Sequence, residues 1–244
     1  MRAFFAFLSC IFFQLIYLIR QGVQGMILDI NKLKVVIFDW DGTLAQSNPP
    51  RVEAVNQVLK KHCLPCWEKI KSRRDENLSF MDNFPNLFGS EADVAYHEFC
   101  DLYLKIIEQG ILGYPKAKEV IELLRSHGVK ISIMTNKDRL LLEAELPQLF
   151  PLEYFDRIVC GHEAPRDKPC AEHALYTLNG LIDIDSISPD TVWIIGDSKL
   201  DNLCAEAIHA RPIRINSMLL EQERCLCKDI ICFENFEALY KALN

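Results

Sequence analysis

Four short polar clusters hold the residues able to do chemistry in this chain: Asp39-Trp40-Asp41-Gly42-Thr43, Thr135-Asn136, Asp167-Lys168-Pro169 and Gly196-Asp197-Ser198-Lys199-Leu200-Asp201. Asp39 and Asp41 stand two residues apart, so an extended backbone turns both carboxylates to one side, where they can address a single ligand. Carboxylates act as nucleophiles, proton carriers or hard oxygen ligands for a metal, and a threonine hydroxyl and a lysine ammonium nearby suit an anion. Taken singly, each feature has a plain structural reading. Asp39 and Asp41 could cap a turn, Thr135 a helix, Lys168 could be a surface charge, and Asp197 and Asp201 a solvated helix start. Their joint placement after three apolar runs is what those readings leave unexplained.

The apolar runs define the elements that must position these groups. Leu33 to Phe38 (LKVVIF) is short, uninterrupted and rich in β-branched residues, the pattern of a strand buried on both faces, and it ends at Asp39. Val129 to Met134, Arg157 to Cys160, Thr191 to Gly196, Pro212 to Ile215 and Asp229 to Phe233 also read as strands. Between them the period lengthens. Ala117, Val120, Ile121 and Leu124 share a helical face that Gly128 is placed to stop, and Leu140 to Phe150, Ala171 to Leu178, Leu200 to His209 and Phe236 to Leu243 read as further helices. Alternation of this kind predicts an α/β fold with a doubly wound parallel sheet, in which ligands bind beyond the carboxyl ends of the strands. Asp39, Thr135 and Asp197 occupy that position. One stretch breaks the alternation: Arg51 to His62 sets Val52, Val55 and Leu59 on one stripe, and Val94 to Glu108 is helix-like, with no strand between. The expected organisation is therefore a core of residues 26–46 and 113–244 with a helical cap of residues 47–112 acting as a lid.

Half of the 244 residues are apolar, enough for a sizeable core, and 27 basic against 34 acidic residues leave a formal charge of -7. No run of Lys or Arg marks a nucleic-acid surface, so the expected partner is a small molecule. Ten irregularly spaced cysteines suit free thiols in a reducing compartment, hence a cytoplasmic location. Ala3 to Ile19 complicates this, being almost wholly apolar between Arg2 and Arg20, at the short edge of the roughly 17–25 residues that span a bilayer. Three readings compete: a membrane anchor, a signal peptide cleaved near Val23-Gln24-Gly25, or a native start at Met26, after which a complete soluble domain follows. The start at Met26 is preferred, with a membrane-anchored protein as the alternative.

The four clusters, in this order and spacing from Leu33 to Ile215, resemble the haloacid dehalogenase superfamily, and within it the phosphoglycolate-phosphatase-like members. That resemblance implies a Rossmann-like core with an inserted helical cap, and a magnesium-dependent phosphatase acting on a small phosphorylated metabolite. It implies Asp39 as the nucleophile that forms an aspartyl-phosphate, splitting one hard displacement into two easier ones. Asp41 becomes the general acid and base, and because the dehalogenase and phosphonatase branches lack an acid there, it points to phosphate esters. Gly42 lets the chain turn sharply away. Gly42, Thr135, Asn136 and Lys168 form the implied phosphate cradle: the Thr135 hydroxyl and the Asn136 backbone N–H donate to phosphoryl oxygens, and Lys168 supplies fixed positive charge. Asp39 and Asp197, with the backbone carbonyl of Asp41, are the implied Mg2+ ligands, and Asp201 orients Lys168 or the metal's waters. Gln46 departs from the pattern, standing where an acid is often found, and Cys170-Ala171 follows Lys168-Pro169 where a second proline is common. Both departures bear on substrate detail. A sugar phosphomutase would use the same residues and differ only in the acceptor of the phosphoryl group. A non-catalytic, membrane-tethered binding module is the reading from another class, and retention of every charged site residue argues against it.

Other signals are weaker. His62-Cys63 and Cys66 have the spacing of a metal knuckle or a redox pair, but no second Cys/His pair lies near in sequence, and a structural zinc needs four ligands. Arg73 and Arg74 could meet an anionic substrate from the lid, but adjacent basic residues read first as solvated surface. His162, Glu163 and Arg166 lie on the loop leading to Lys168 and could face the site, and the pairing of Cys225 and Cys227 is open.

Overall fold

The computed structural model of the chain describes residues 28–216 and 230–244. Within them the strands β1 (Val35–Phe38), β2 (Lys130–Met134), β3 (Arg157–Val159), β4 (Val192–Gly196), β5 (Arg211–Ile215) and β6 (Ile231–Phe233) form one sheet in the order β3-β2-β1-β4-β5-β6, with every pairing parallel. β1 is central and buried along its whole length, which its unbroken Val-Val-Ile-Phe run requires, since neither face reaches water. The chain leaves β1 toward β2 on one side and later enters β4 on the other. This is the topological switch point, and the crevice beyond the carboxyl ends of β1, β2 and β4 is where such sheets bind ligands.

Helices cover both faces. Four of them are α5 (Ala117–Ser126), α6 (Arg139–Leu149), α7 (Ala171–Leu178) and α8 (Lys199–Ala207), and α9 (Phe236–Leu243) closes the chain. On one face Val36, Phe38, Ile131 and Ile133 pack with Val120, Ile121, Leu124 and Phe236; on the other Val35, Ile37, Met134 and Ile194 pack with Ala174, Leu178, Cys204 and Ala205. Alternate β1 residues thus feed opposite cores, as the two-residue period of a strand dictates. The expected stripe Ala117, Val120, Ile121 and Leu124 is wholly buried.

The insert after β1 holds α1 (Asn48–Lys61), α2 (Trp67–Ile70), α3 (Phe84–Phe88) and α4 (Ala92–Ile107) around its own core of Val55, Val58, Leu59, Phe84, Phe99 and Tyr103. α1 begins three residues before the apolar stripe suggests, because Pro49 and Pro50 occupy its first turn, where a missing N–H costs nothing. The short helices α2 and α3 escape a periodicity reading because neither is long enough to show a repeat. The chain enters and leaves this layer through adjacent strands of backbone: Ala45 bridges Gly113, the Gln46 amide donates to the Leu112 carbonyl at 2.8 Å, and the Gln46 side chain donates to the Gly113 carbonyl at 2.8 Å. Gln46, which departs from the family pattern, thereby ties the two passages together.

The apolar segment 3–19, the start at Met26 and the pair Cys225 and Cys227 lie outside the described residues. Among the described residues no helix is long and apolar enough to cross a membrane.

Candidate active site

The crevice at the switch point contains a cavity of about 230 Å³ whose walls include Asp39, Asp41, Thr135, Asn136, Lys168 and Asp197. Six residues from four separate stretches of the sequence are thus gathered at one spot. Asp39 follows β1 directly, and its backbone N–H donates to the Ile195 carbonyl of β4 at 2.9 Å, which fixes where the side chain emerges. Past Asp41 the chain folds sharply: the N–H groups of Thr43, Leu44 and Ala45 all point at the Trp40 carbonyl. Gly42 sits in this turn at φ +81, and a Cβ there would stand 2.3 Å from an Asp197 carboxylate oxygen. Only glycine allows both the backbone angle and the approach of Asp197. Asn216, itself at φ 57, donates its side-chain amide to the carbonyls of Gly42 and Thr43 and so braces the turn from the end of β5.

Lys168 is the centre of the charge arrangement. Its buried Nζ donates to Asp39 Oδ1 at 2.6 Å and to Asp201 Oδ1 at 2.7 Å. The Asn136 side chain holds the Lys168 backbone from both sides, donating to its carbonyl at 2.9 Å and accepting from its N–H at 3.1 Å. His173 Nδ1 accepts from the same N–H at 3.1 Å. Burial pushes the His173 imidazole down to about 3, which keeps that nitrogen an unprotonated acceptor. Burial alone would lower the Lys168 ammonium too, but Asp201 and Asp39 outweigh it and hold the lysine charged. Asp201 touches Lys168 from beneath. Its second oxygen accepts from the Ser198 N–H and hydroxyl at the start of α8, and a Cβ at Gly196 would meet its carboxyl carbon at 2.2 Å.

Oxygen atoms of Asp39, Asp197 and Asp201 lie within 4.8 Å of one another, close enough to hold one metal ion. The donor set discriminates among them. Both Asp201 oxygens are already engaged, one by Lys168 and one by Ser198, whereas Asp39 Oδ2 has only a 3.5 Å contact with the Thr43 hydroxyl, and the one described side-chain donor to Asp197, Arg214, reaches its backbone carbonyl and not its carboxylate. Burial, together with the neighbouring carboxylates, raises Asp39 to about 8 and Asp197 to about 7. Lys168 cannot neutralise both. Two crowded, under-compensated carboxylates with open oxygens are what a hard divalent cation stabilises, so the residues fit such an ion.

Asp41 belongs to a second network that sequence reasoning missed. Lys137 Nζ, buried, donates to Asp41 Oδ1 at 2.9 Å and pairs with Glu145 of α6 at 2.8 Å. Glu145 is fully buried and also accepts from the Trp40 indole and the Tyr103 hydroxyl of the cap. Burial raises Asp41, but Lys137 and Arg51 outweigh it and hold the carboxyl below its ordinary range. Thr135 Oγ1 accepts from the Lys137 N–H at 3.1 Å, which leaves its own hydroxyl hydrogen available to a ligand. Lys137 follows Thr135-Asn136 directly and is an ordinary surface residue by type; only its buried acid partner, eight residues on, marks it. Arg51 and Arg74 also line the cavity, from α1 and the loop after α2. Of the loop residues weighed from sequence, Glu163 pairs with Arg139 and Arg166 with Glu172, and neither lines the cavity.

The model of the haloacid dehalogenase-like hydrolases matches residues 36–215. The chain belongs to that family. This hydrolase is 26% identical over 197 residues to phosphoglycolate phosphatase of Chromobacterium violaceum, covering 77% of this chain and 87% of that protein. It is 30% identical over 190 residues to phosphoglycolate phosphatase of Nitrosospira multiformis, covering 72% and 79%. Among solved structures, CbbY from Rhodobacter sphaeroides in complex with phosphate shares the fold with a TM-score of 0.70 at 18% identity, over 86% of this chain and 99% of that one. The hydrolase is accordingly a phosphatase of this family, and its chemistry is phosphate-ester hydrolysis.

Proposed function

We propose that the protein hydrolyses a small-molecule phosphate monoester, with Mg2+, through an aspartyl-phosphate on Asp39. The observation that carries this reading is the Lys168 ammonium bonded to Asp39 Oδ1 beside Asp197, with Asp41 on the same cavity wall. The bond to Lys168 fixes the rotation of the Asp39 carboxylate and offsets part of the repulsion an incoming phosphate meets. A bound Mg2+, held by Asp39, Asp197 and the Asp41 carbonyl, would screen that repulsion further and stabilise charge on the phosphoryl oxygens.

In the first step an Asp39 oxygen bonds to phosphorus, the ester P–O bond breaks, and the Asp41 carboxyl gives its proton to the departing alcohol oxygen. Asp41 is a carboxylate in the free protein, held so by Lys137 and Arg51. An arriving phosphate anion pushes it back toward protonation, and a monoanionic ester brings the proton. In the second step Asp41 takes a proton from water, whose oxygen attacks the phosphorus and releases Asp39 and inorganic phosphate. The Thr135 hydroxyl, the Asn136 N–H and the Gly42 turn frame the phosphoryl oxygens throughout. Residues 26–46 and 113–244 carry this chemistry and the layer 47–112 covers it. Cys63, Cys66, Cys100, Cys160, Cys170 and Cys204 stand as free thiols, which supports a cytoplasmic setting.

The test is phosphate release from an aryl phosphate with and without Mg2+, using the wild type and Asp39→Asn. Turnover is expected only with metal, falling by about four orders of magnitude in the variant, with acid-stable label on the wild-type chain after quenching. Metal-independent turnover, or an active Asp39→Asn protein, overturns the mechanism. Transfer of the phosphoryl group to a second sugar hydroxyl in place of water would make it a mutase.

A further inference from the structure

Glu145 is a fully buried acid within α6 that does not line the catalytic cavity. Taking a carboxylate out of water is costly unless its oxygens are answered, and here both are. Oε2 accepts from the Trp40 indole, while Oε1 accepts from the Tyr103 hydroxyl and pairs with Lys137 at 2.8 Å. These partners come from three places: the residue between Asp39 and Asp41, helix α4 of the cap, and the segment that follows β2. A buried acid that collects one group from each needs a reason beyond filling the core.

The partners all lead to Asp41. An extended backbone that turns Asp39 and Asp41 toward the cavity sends Trp40 the other way, into the core, where it is fully buried beside Phe150. Its indole therefore ties Glu145 to the segment that carries Asp41. Lys137 approaches from the side. Three oxygens ring its ammonium: Asp41 Oδ1 at 2.9 Å, Glu145 Oε1 at 2.8 Å and the Tyr103 hydroxyl at 3.3 Å. An ammonium has three hydrogens, so none is left over for a phosphoryl oxygen while these contacts hold. Lys137 thus serves Asp41 and not the phosphate. The Tyr103 hydroxyl takes a hydrogen from Lys137 and gives its own to Glu145, which closes a ring of three side chains and fixes where the ammonium sits.

We propose that Glu145 and Tyr103 are positioning residues for the proton carrier: acting through Lys137, they hold the Asp41 carboxyl at the angle from which it gives its proton to the leaving oxygen. A carboxyl turned by one long, flexible lysine would be poorly aimed, and proton transfer needs the donor within hydrogen-bond reach of its target. Pinning the ammonium at two further points removes that freedom. The role rests on the phosphomonoesterase reading and adds to it two residues that aim its acid, one of them supplied by the cap. A Glu145 that only neutralised Lys137 would matter for stability and would leave the choice among leaving groups untouched.

The test compares kcat/KM, with Mg2+ present, for a three-carbon alkyl phosphate, whose leaving oxygen needs a proton, and for a nitrophenyl phosphate, whose leaving group departs as an anion. Glu145→Gln keeps the shape but sets an amide N–H2 against donors, and should lower the alkyl-to-aryl ratio by roughly 10- to 100-fold. Tyr103→Phe keeps the ring and removes only the hydroxyl, and should lower the ratio by roughly 3- to 10-fold. Because Glu145 acts through Lys137, the double variant Lys137→Met with Glu145→Leu should lose no more of the ratio than Lys137→Met alone. The ratio is taken within one protein, so partial misfolding of a variant cancels. A ratio that neither Glu145→Gln nor Tyr103→Phe moves, or a double variant that loses far more than Lys137→Met, overturns the positioning role while leaving the hydrolase reading intact. Release of phosphate from neither ester by the wild type overturns the hydrolase reading and the positioning role together.

Discussion

The core wall and the cap wall of one cavity solve their charge problems in opposite ways. On the core wall Lys168 and Lys137 are buried against four carboxylates and held by backbone and side-chain hydrogen bonds, so their charges are answered inside the protein. On the cap wall Arg51 and Arg74 are half-buried over aromatic rings, with no ion pair to either among the described residues, though Arg51 stands near enough to Asp41 to help hold it ionised. The parts of the core wall thus hold one another by direct ion pairs, whereas the cations of the cap wall are held by packing over rings.

The sharpest way to break the comparison is to remove one cation from each wall. Lys168→Met strands the buried carboxylates of Asp39 and Asp201 and is expected to cost about 3–5 kcal/mol in urea unfolding. Arg74→Met keeps an apolar stem over Phe80, leaves no acid unpaired, and should change stability by less than about 1 kcal/mol. Equal losses would show that the two walls do not differ as described.

A smaller effect separates the two lysines of the core wall. Besides Glu145 and Tyr103, Lys137 touches Asp41, the proposed proton carrier, and not Asp39, so Lys137→Met should lower kcat/KM by about 100-fold for alkyl esters, whose leaving oxygen needs a proton. It should do far less for an activated aryl ester, whose leaving group departs as an anion. Uniform losses across leaving groups would deny Lys137 its part in positioning Asp41.

The smallest expected effect is a slope in stability with pH. Asp39 and Asp197 are raised in the folded chain to about 8 and about 7, so folding favours their protonated forms. That contribution is complete below the ordinary carboxylate value near 4 and is lost as the pH rises through 7 and 8. Metal-free protein should therefore weaken steadily toward alkaline pH in thermal unfolding, and Mg2+ should flatten the slope by stabilising the ionised pair. An unchanged slope with saturating Mg2+ would argue against these two residues as its ligands.

The strands and the first polar residue after each were legible because a strand buried on both faces leaves an unbroken apolar run, and the crevice lies where that run stops. Asp39, Thr135 and Asp197 could be found this way, and Asp41 by its two-residue offset. Lys168 and Asp201 were found through the order of the clusters, but their contact spans 33 residues and no local pattern states it. Lys137 was passed over because a lysine after Thr135-Asn136 resembles any surface lysine. Its burial is created by Glu145 and Tyr103, brought from α6 and α4. Arg74 was read as solvated for the same reason, since Phe80 and Trp67 must fold beneath it before it loses water.

By itself the sequence determined the α/β alternation, the central position of the first apolar strand's chemistry, and the turn at Gly42 that only a residue without a side chain can make. These follow from period, run length and backbone sterics, which act over a few residues. The tertiary structure alone decided which cations are compensated and which are not. Burial and charge pairing depend on what arrives from elsewhere in the chain, so that Lys168 meets Asp39 and Asp201 whereas Arg74 meets the rings of Phe80 and Trp67.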